Sequence, residues 1–114
     1  MSAVYVNNLV VNSGSDFSQS FTLEGTFTNT PLDLNGYTVA SQMRKWAGSS
    51  NYTDFNASIE YPASSGRVLI GLTSEETSNL KPGRYVYDVI ITDQYDVKYK
   101  VVEGMVLVRE GVTR

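Results

Sequence analysis

Alternation of apolar and polar residues with period two recurs along the chain. Phe17, Gln19, Phe21 and Leu23 share one side of a stretch whose other side is Ser18, Ser20 and Thr22. A strand with one covered face produces this pattern, because successive side chains point to opposite sides of a sheet. The same reading predicts strands over residues 4–11, 16–23, 37–45, 56–61, 67–72, 84–92 and 97–108. In the third, Tyr37, Val39, Ser41 and Met43 are in phase, and in the sixth Tyr85, Tyr87, Val89 and Ile91. About seven short strands at this spacing predict an all-β antiparallel sandwich or small barrel.

The connections are rich in turn formers. Asn12-Ser13-Gly14-Ser15, the run from Pro31 to Gly36, Ala63-Ser64-Ser65-Gly66 and Asp93-Gln94-Tyr95-Asp96 separate the predicted strands. Residues 74–79 differ. Thr73 followed three residues later by Glu76 fits a capping box, so one short helical turn is expected there, with Lys81-Pro82-Gly83 ending it. Residues 47–55 form the longest polar stretch and are expected to be a mobile loop.

The last strand poses a phase problem. Val97, Tyr99 and Val101 alternate with Lys98 and Lys100, which predicts that the first three face inward. Continuing that phase would bury Glu103 without a partner, at a cost of several kcal/mol. A bulge at Val102-Glu103-Gly104 resolves the conflict by turning Glu103 out and Val106 and Val108 in.

Composition narrows the chemistry. A chain of 114 residues forms one domain, residues 1–114. It has neither cysteine nor histidine, which excludes disulfides, thiolate zinc sites, cysteine nucleophiles and imidazole-based triads. The net charge of −3, a pI of about 4.8 and scattered bases argue against nucleic acid. No apolar run approaches the roughly 20 residues that span a bilayer, so no membrane insertion is expected. The N-terminus carries no basic region followed by an apolar one, so no secretory signal is expected; the opening Met1 suggests folding in a cytoplasm, although a mature secreted module given a new Met would read the same.

Three groups of residues bear on chemistry. Glu75-Glu76 and Asp93/Asp96 are the only close carboxylate pairs of note, but neither is bracketed by the apolar residues that would raise a pKa, so capping and turn roles are expected. No Asp-x-Asp-x-Asp-Gly loop accompanies Asp93 and Asp96, so no metal and no cofactor are expected. The aromatics are more suggestive. Trp46 is out of phase with Met43 at a strand end, near Tyr52, while Tyr61 and Tyr95 fall at strand ends or turns. These four could stack on carbohydrate, pack against a neighbouring subunit, or, for Trp46, turn inward at a bulge.

The strongest local motif is structural. Gly83 stands two residues before Tyr85, and Tyr87 two further on. That spacing matches the tyrosine corner of immunoglobulin-like sandwiches, with Tyr87 where antibodies place a disulfide cysteine. The expected fold is therefore a cysteine-free Ig-like sandwich, in which residues 1–11 are a candidate assembly strand able to add to a neighbour's sheet.

From about residue 12 onward the chain also resembles small virion proteins of tailed bacteriophages. The resemblance lies in Asp16-Phe17, Phe21-Thr22-Leu23, the run from Pro31 to Thr38, Met43-Arg44-Lys45, Gly66-Arg67-Val68 and Leu72 to Thr77. It continues through Leu80, Gly83 to Val89, Glu103-Gly104, Val106 and Val112-Thr113-Arg114. It implies a non-enzymatic structural protein of the tail, baseplate or neck, made in the host cytoplasm and located in the virion. Its implied partners are further copies of itself and other virion proteins. A chain that stops at Arg114 leaves a free-standing adaptor, a neck component or a capsid decoration protein open, and the exposed aromatics keep a carbohydrate-binding or adhesin module as the alternative. The motifs are fold-forming, and no active site is implied.

Overall fold

Val68, Ile70 and Leu72 are buried while Arg67 is exposed and Leu69 and Gly71 are less covered, the outcome that alternation at residues 67–72 predicts. The computed structural model describes residues 5–24 and 30–113. Val4, which opens the first predicted strand, and Arg114 lie outside the described residues. The strands are β1 (Tyr5–Val6), β2 (Leu9–Asn12), β3 (Phe17–Thr22), β4 (Thr38–Arg44), β5 (Thr53–Asp54), β6 (Asn56–Ile59), β7 (Arg67–Leu72), β8 (Gly83–Thr92) and β9 (Lys98–Arg109). A 3₁₀ turn at Ala63–Ser65 precedes β7, and a single helical turn, α1 (Ser74–Ser78), follows it.

The strands form two sheets. One runs β1-β9-β8-β4-β5, with β2 continuing beside β9, and the other runs β3-β7-β6. This is the Ig-like sandwich, with β3, β7 and β6 in one layer and β4, β8 and β9 in the other. The core lies between the layers. Leu9, Val11, Met43, Val89, Ile91, Val102, Val106 and Val108 of the larger sheet meet Phe21, Val68, Ile70 and Leu72 of the smaller one.

Several expectations are corrected. The first strand is split in two, and both halves pair parallel to β9, with Tyr5 opposite Val102 and Val11 opposite Val108. The sandwich is therefore not wholly antiparallel. Leu9 and Val11 belong to the core, so this segment is built into the chain's own sheet along β9. Residues 47–55 are tied down as well: Ser49 and Phe55 are buried, and β5 pairs with β4.

The bulge exists but sits earlier in the strand. Val89 faces Val102 and Ile90 faces Lys100, which leaves Val101 unopposed. Val101 and Val102 are both buried, Glu103 points out, and Val106 and Val108 point in. Val97 is exposed, because it closes the hairpin: its amide donates to Asp93 Oδ1 and its carbonyl accepts from the Asp93 amide. Gly104 has a different role from the one its place near a bulge suggested. A β-carbon there would collide with the Asn7 carbonyl oxygen, so only glycine lets the backbone between β1 and β2 lie this close against β9.

That close approach is pinned by a tyrosine. Tyr87, buried opposite Gly104, donates its hydroxyl proton to the Asn7 carbonyl at 2.6 Å. Burial pushes the phenol up to about 12. Two residues earlier, the Tyr85 hydroxyl donates to the Lys81 carbonyl at 2.7 Å, the backward bond of a tyrosine corner.

Two outcomes follow from this packing. Removal of residues 1–12 strips two buried side chains, each contributing roughly 1.5–3 kcal/mol, together with the ladder on β9. Against a total stability of roughly 5–15 kcal/mol, the shortened chain is expected to lose cooperative thermal unfolding by circular dichroism. Tyr87→Phe leaves the Asn7 carbonyl unpaired and should cost about 1–3 kcal/mol. The raised phenol pKa adds no pH dependence below the ordinary tyrosine range. Above pH 10 the unfolded chain loses this proton first, so wild-type stability falls as pH rises towards 12. Chemical denaturation across that window should show a shallower fall in Tyr87→Phe. A remaining slope is expected from Tyr37, raised by burial and then by Asp93.

Candidate functional site

The end of β4 gathers the polar chemistry that the sequence singled out. Alternation turns Met43 into the core and Arg44 outward, and the chain then leaves the sheet through Lys45 and Trp46. A turn closed by the Ser49 amide on the Trp46 carbonyl, at 3.0 Å, holds Trp46 in solvent with 62% of its surface exposed. The inward alternative for Trp46 is thereby excluded. Gly48 packs beside the indole, where a β-carbon would touch Cδ1 at 3.6 Å.

Two cations are fixed against rings at this end. The Arg44 guanidinium donates to the Ser49 carbonyl and to Gln42 Oε1, and lies 4.7 Å over the Tyr52 ring. The Lys45 ammonium lies 4.7 Å over the Tyr85 ring. With Trp46 and Lys81 these groups line an open hollow of about 530 Å³. Arg44, Lys45 and Trp46 also border a broader hollow of about 770 Å³ on the outer face of the larger sheet, where Asp88, Lys100 and Glu103 lie. There Lys100 is 3.4 Å from Glu103 and 3.9 Å from Asp88. Trp46 therefore stands between a wholly cationic hollow and a mixed one.

The four aromatics do not form one rim. Tyr61 lies in the β6–β7 connection and Tyr95 in the β8–β9 hairpin, 92% and 78% exposed. Successive connections of an antiparallel sandwich emerge at opposite ends, so both lie at the end where β4 begins. Cross-links between loops bear this out: the Leu34 amide donates to the Ala63 carbonyl, and Gly36 packs on Gln94. Trp46 and Tyr52 lie at the end where β4 stops.

The carboxylate pairs hold structure together. Glu76 accepts from the Thr73 amide and from Asn56 Nδ2, while Thr73 Oγ1 accepts from the Glu76 amide, completing the capping box. These bonds, the Thr73 amide first, hold the Glu76 carboxyl below its ordinary value. Asp93 Oδ1 accepts from the amides of Tyr95 and Val97, and Asp96 supplies the left-handed residue of the hairpin. Thr77 went unnoticed in the sequence because an isolated threonine in a polar turn carries no pattern. It is fully buried, accepting from the Gly14 amide and donating to the Ser15 carbonyl, and so docks α1 on the β2–β3 turn.

No protein-family model matches the chain, and no curated protein matches it in sequence. Solved structures do match, at low similarity. One is an internalin-like protein of Listeria monocytogenes, at 13% identity and a TM-score of 0.46, aligned over 96% of this chain and 29% of that one. Another is a family 123 glycoside hydrolase from Clostridium perfringens, at 15% identity and a TM-score of 0.44, aligned over 96% and 24%. The chain thus spans less than a third of the length of either. Likeness at this level says nothing of activity.

The arrangement makes Trp46, the single tryptophan, a reporter. Iodide should quench its fluorescence more strongly than caesium, because Arg44, Lys45 and Lys81 attract the anion and repel the cation. Adding salt should narrow the gap. Equal quenching by the two ions at low salt would contradict the charge assignment.

Proposed function

We propose that this chain is a non-enzymatic structural component of a tailed-bacteriophage virion, a tail, baseplate or neck part that assembles with copies of itself and docks other virion proteins. The observation that carries this reading is an apolar strip on the outer face of the larger sheet. Register sets Val10 beside Leu107 and Val86 beside Met105. Val6, Val10, Met105 and Leu107 are 72%, 50%, 44% and 40% exposed. Outward positions of a solvated sheet ordinarily carry polar residues, and a contiguous apolar group at such positions marks a contact surface. The strip lies along β1 and β2 and their neighbour β9, where a sheet edge offers further pairing.

The resemblance of the sequence to small virion proteins agrees with this use of the fold. A part folded in a reducing cytoplasm gains no disulfide and relies on packing and on association. Capsid decoration is a sibling of the same reading, differing in where the chain sits.

Val10→Glu combined with Leu107→Glu tests the strip. Both side chains are exposed, so the melting temperature should hold to within a few degrees. Wild type is expected to sediment as an oligomer and the double variant as a monomer. Immunogold labelling of purified particles should mark the tail, baseplate or neck, whereas label spread over the head would place the chain with decoration proteins. A wild-type monomer that labels no particle would overturn the proposal.

A further inference from the structure

We infer that the cationic hollow at the end of β4 is a binding site for an acidic saccharide, one carrying uronate or similar carboxylates. This goes beyond the assembly role and does not depend on it, since the hollow lies at an end of the sandwich and the apolar strip on its face. In a chain of net charge −3, the lining contains Arg44, Lys45 and Lys81 and no carboxylate. The ion pairs among the described residues involve Arg67 and Lys100 alone as bases, so these three cations are uncompensated. Like charges gathered in a concave site repel one another, and an anionic ligand relieves that repulsion.

The cations are also in fixed positions. Arg44 is bonded to Ser49 and Gln42 and stacked on Tyr52, which leaves further guanidinium N–H groups for a carboxylate. Lys45 is held over Tyr85. Two features select a saccharide over an acidic peptide. Trp46 and Tyr52 offer exposed rings, on which the C–H faces of a pyranose can lie. Asn51 and Asn79 line the same hollow, and their carboxamides make no hydrogen bond among the described residues. Each carboxamide both donates and accepts, as vicinal hydroxyls require, whereas a run of carboxylates needs donors only. The volume of about 530 Å³ is of the size that holds a small oligosaccharide segment.

The test is titration of the full chain with oligogalacturonate, neutral oligogalactose of equal length, and poly-glutamate, read by Trp46 fluorescence and by calorimetry. Oligogalacturonate should shift the emission and protect Trp46 from iodide, with affinity falling as salt rises. The neutral sugar should bind at least about tenfold more weakly. Lys45→Gln and Lys81→Gln should each weaken uronate binding about three- to tenfold, and Trp46→Ala should abolish it by calorimetry, all with unchanged melting temperatures. Leu107→Glu, on the strip and outside the lining of this hollow, should bind normally. Equal binding of the neutral sugar, or no binding of either sugar, overturns the inference. Poly-glutamate binding as tightly as uronate overturns it too, by making the site one for acidic peptides.

Discussion

The two layers are tied by an aromatic column that replaces a covalent link. Phe17 of β3 meets Phe55 at 6.0 Å between ring centres, and Phe55 meets Tyr87 of β8 edge-on at 6.1 Å. Such contacts contribute roughly 0.5–1.5 kcal/mol each beyond the area they bury. The column ends at the Tyr87 hydroxyl, whose bond to Asn7 fixes the break of the split first strand against β9. Gly104 makes room for that break, and Asn8 Oδ1, accepting from the Met105 amide at 3.0 Å, holds the next residue to β9. Core, first strand and last strand thus meet at one point. Changing Tyr87 or Gly104 would move β1 and β2, and with them the outer face they border.

Much of this was legible in the sequence, for reasons that also mark where legibility ends. Strand phase is a property of consecutive residues, so residues 67–72 and 84–92 yielded their buried faces directly. Partner direction is not such a property. The alternation of Leu9 and Val11 is the same whether the strand joins β3 or runs parallel to β9, and only the tertiary structure decides between them. The bulge shows the same limit on a smaller scale. Val101 and Val102 are both apolar, so an extra residue at either explains why Glu103 must face out, and the register alone places it at Val101. Two-residue β5 has no periodicity to read. Gly104 was noticed for its residue type, but its reason is a contact with a residue nearly a hundred positions away.

The site was less legible because it is assembled from connections. Trp46 and Tyr52 come together with Lys81 and Tyr85 because the β4–β5 and α1–β8 segments emerge at one end of the sandwich. Tyr61 and Tyr95 were equally good candidates by residue type and turn context. They were separated from the others only by the order of the strands. The carboxylates differ, since the signals of a capping box and of an Asp-led turn are local, and Glu76 and Asp93 stand where local rules put them.

A single strand end therefore borders two surfaces of opposite character. Outward residues along β9 and β2 are apolar where they meet at Leu107 and Val10, and association that covers them removes apolar area from water. At the end of β4 the exposed groups are cations set against aromatic rings, and burying those without an anion would be costly. A neighbour seated on the strip has every energetic reason to stop short of Arg44 and Lys45. Trp46 marks that boundary, because it borders both hollows. The charge that keeps the end of β4 out of an apolar contact is the same charge that leaves it open to an anionic ligand, so assembly through the face and recognition at the end are compatible in one small domain.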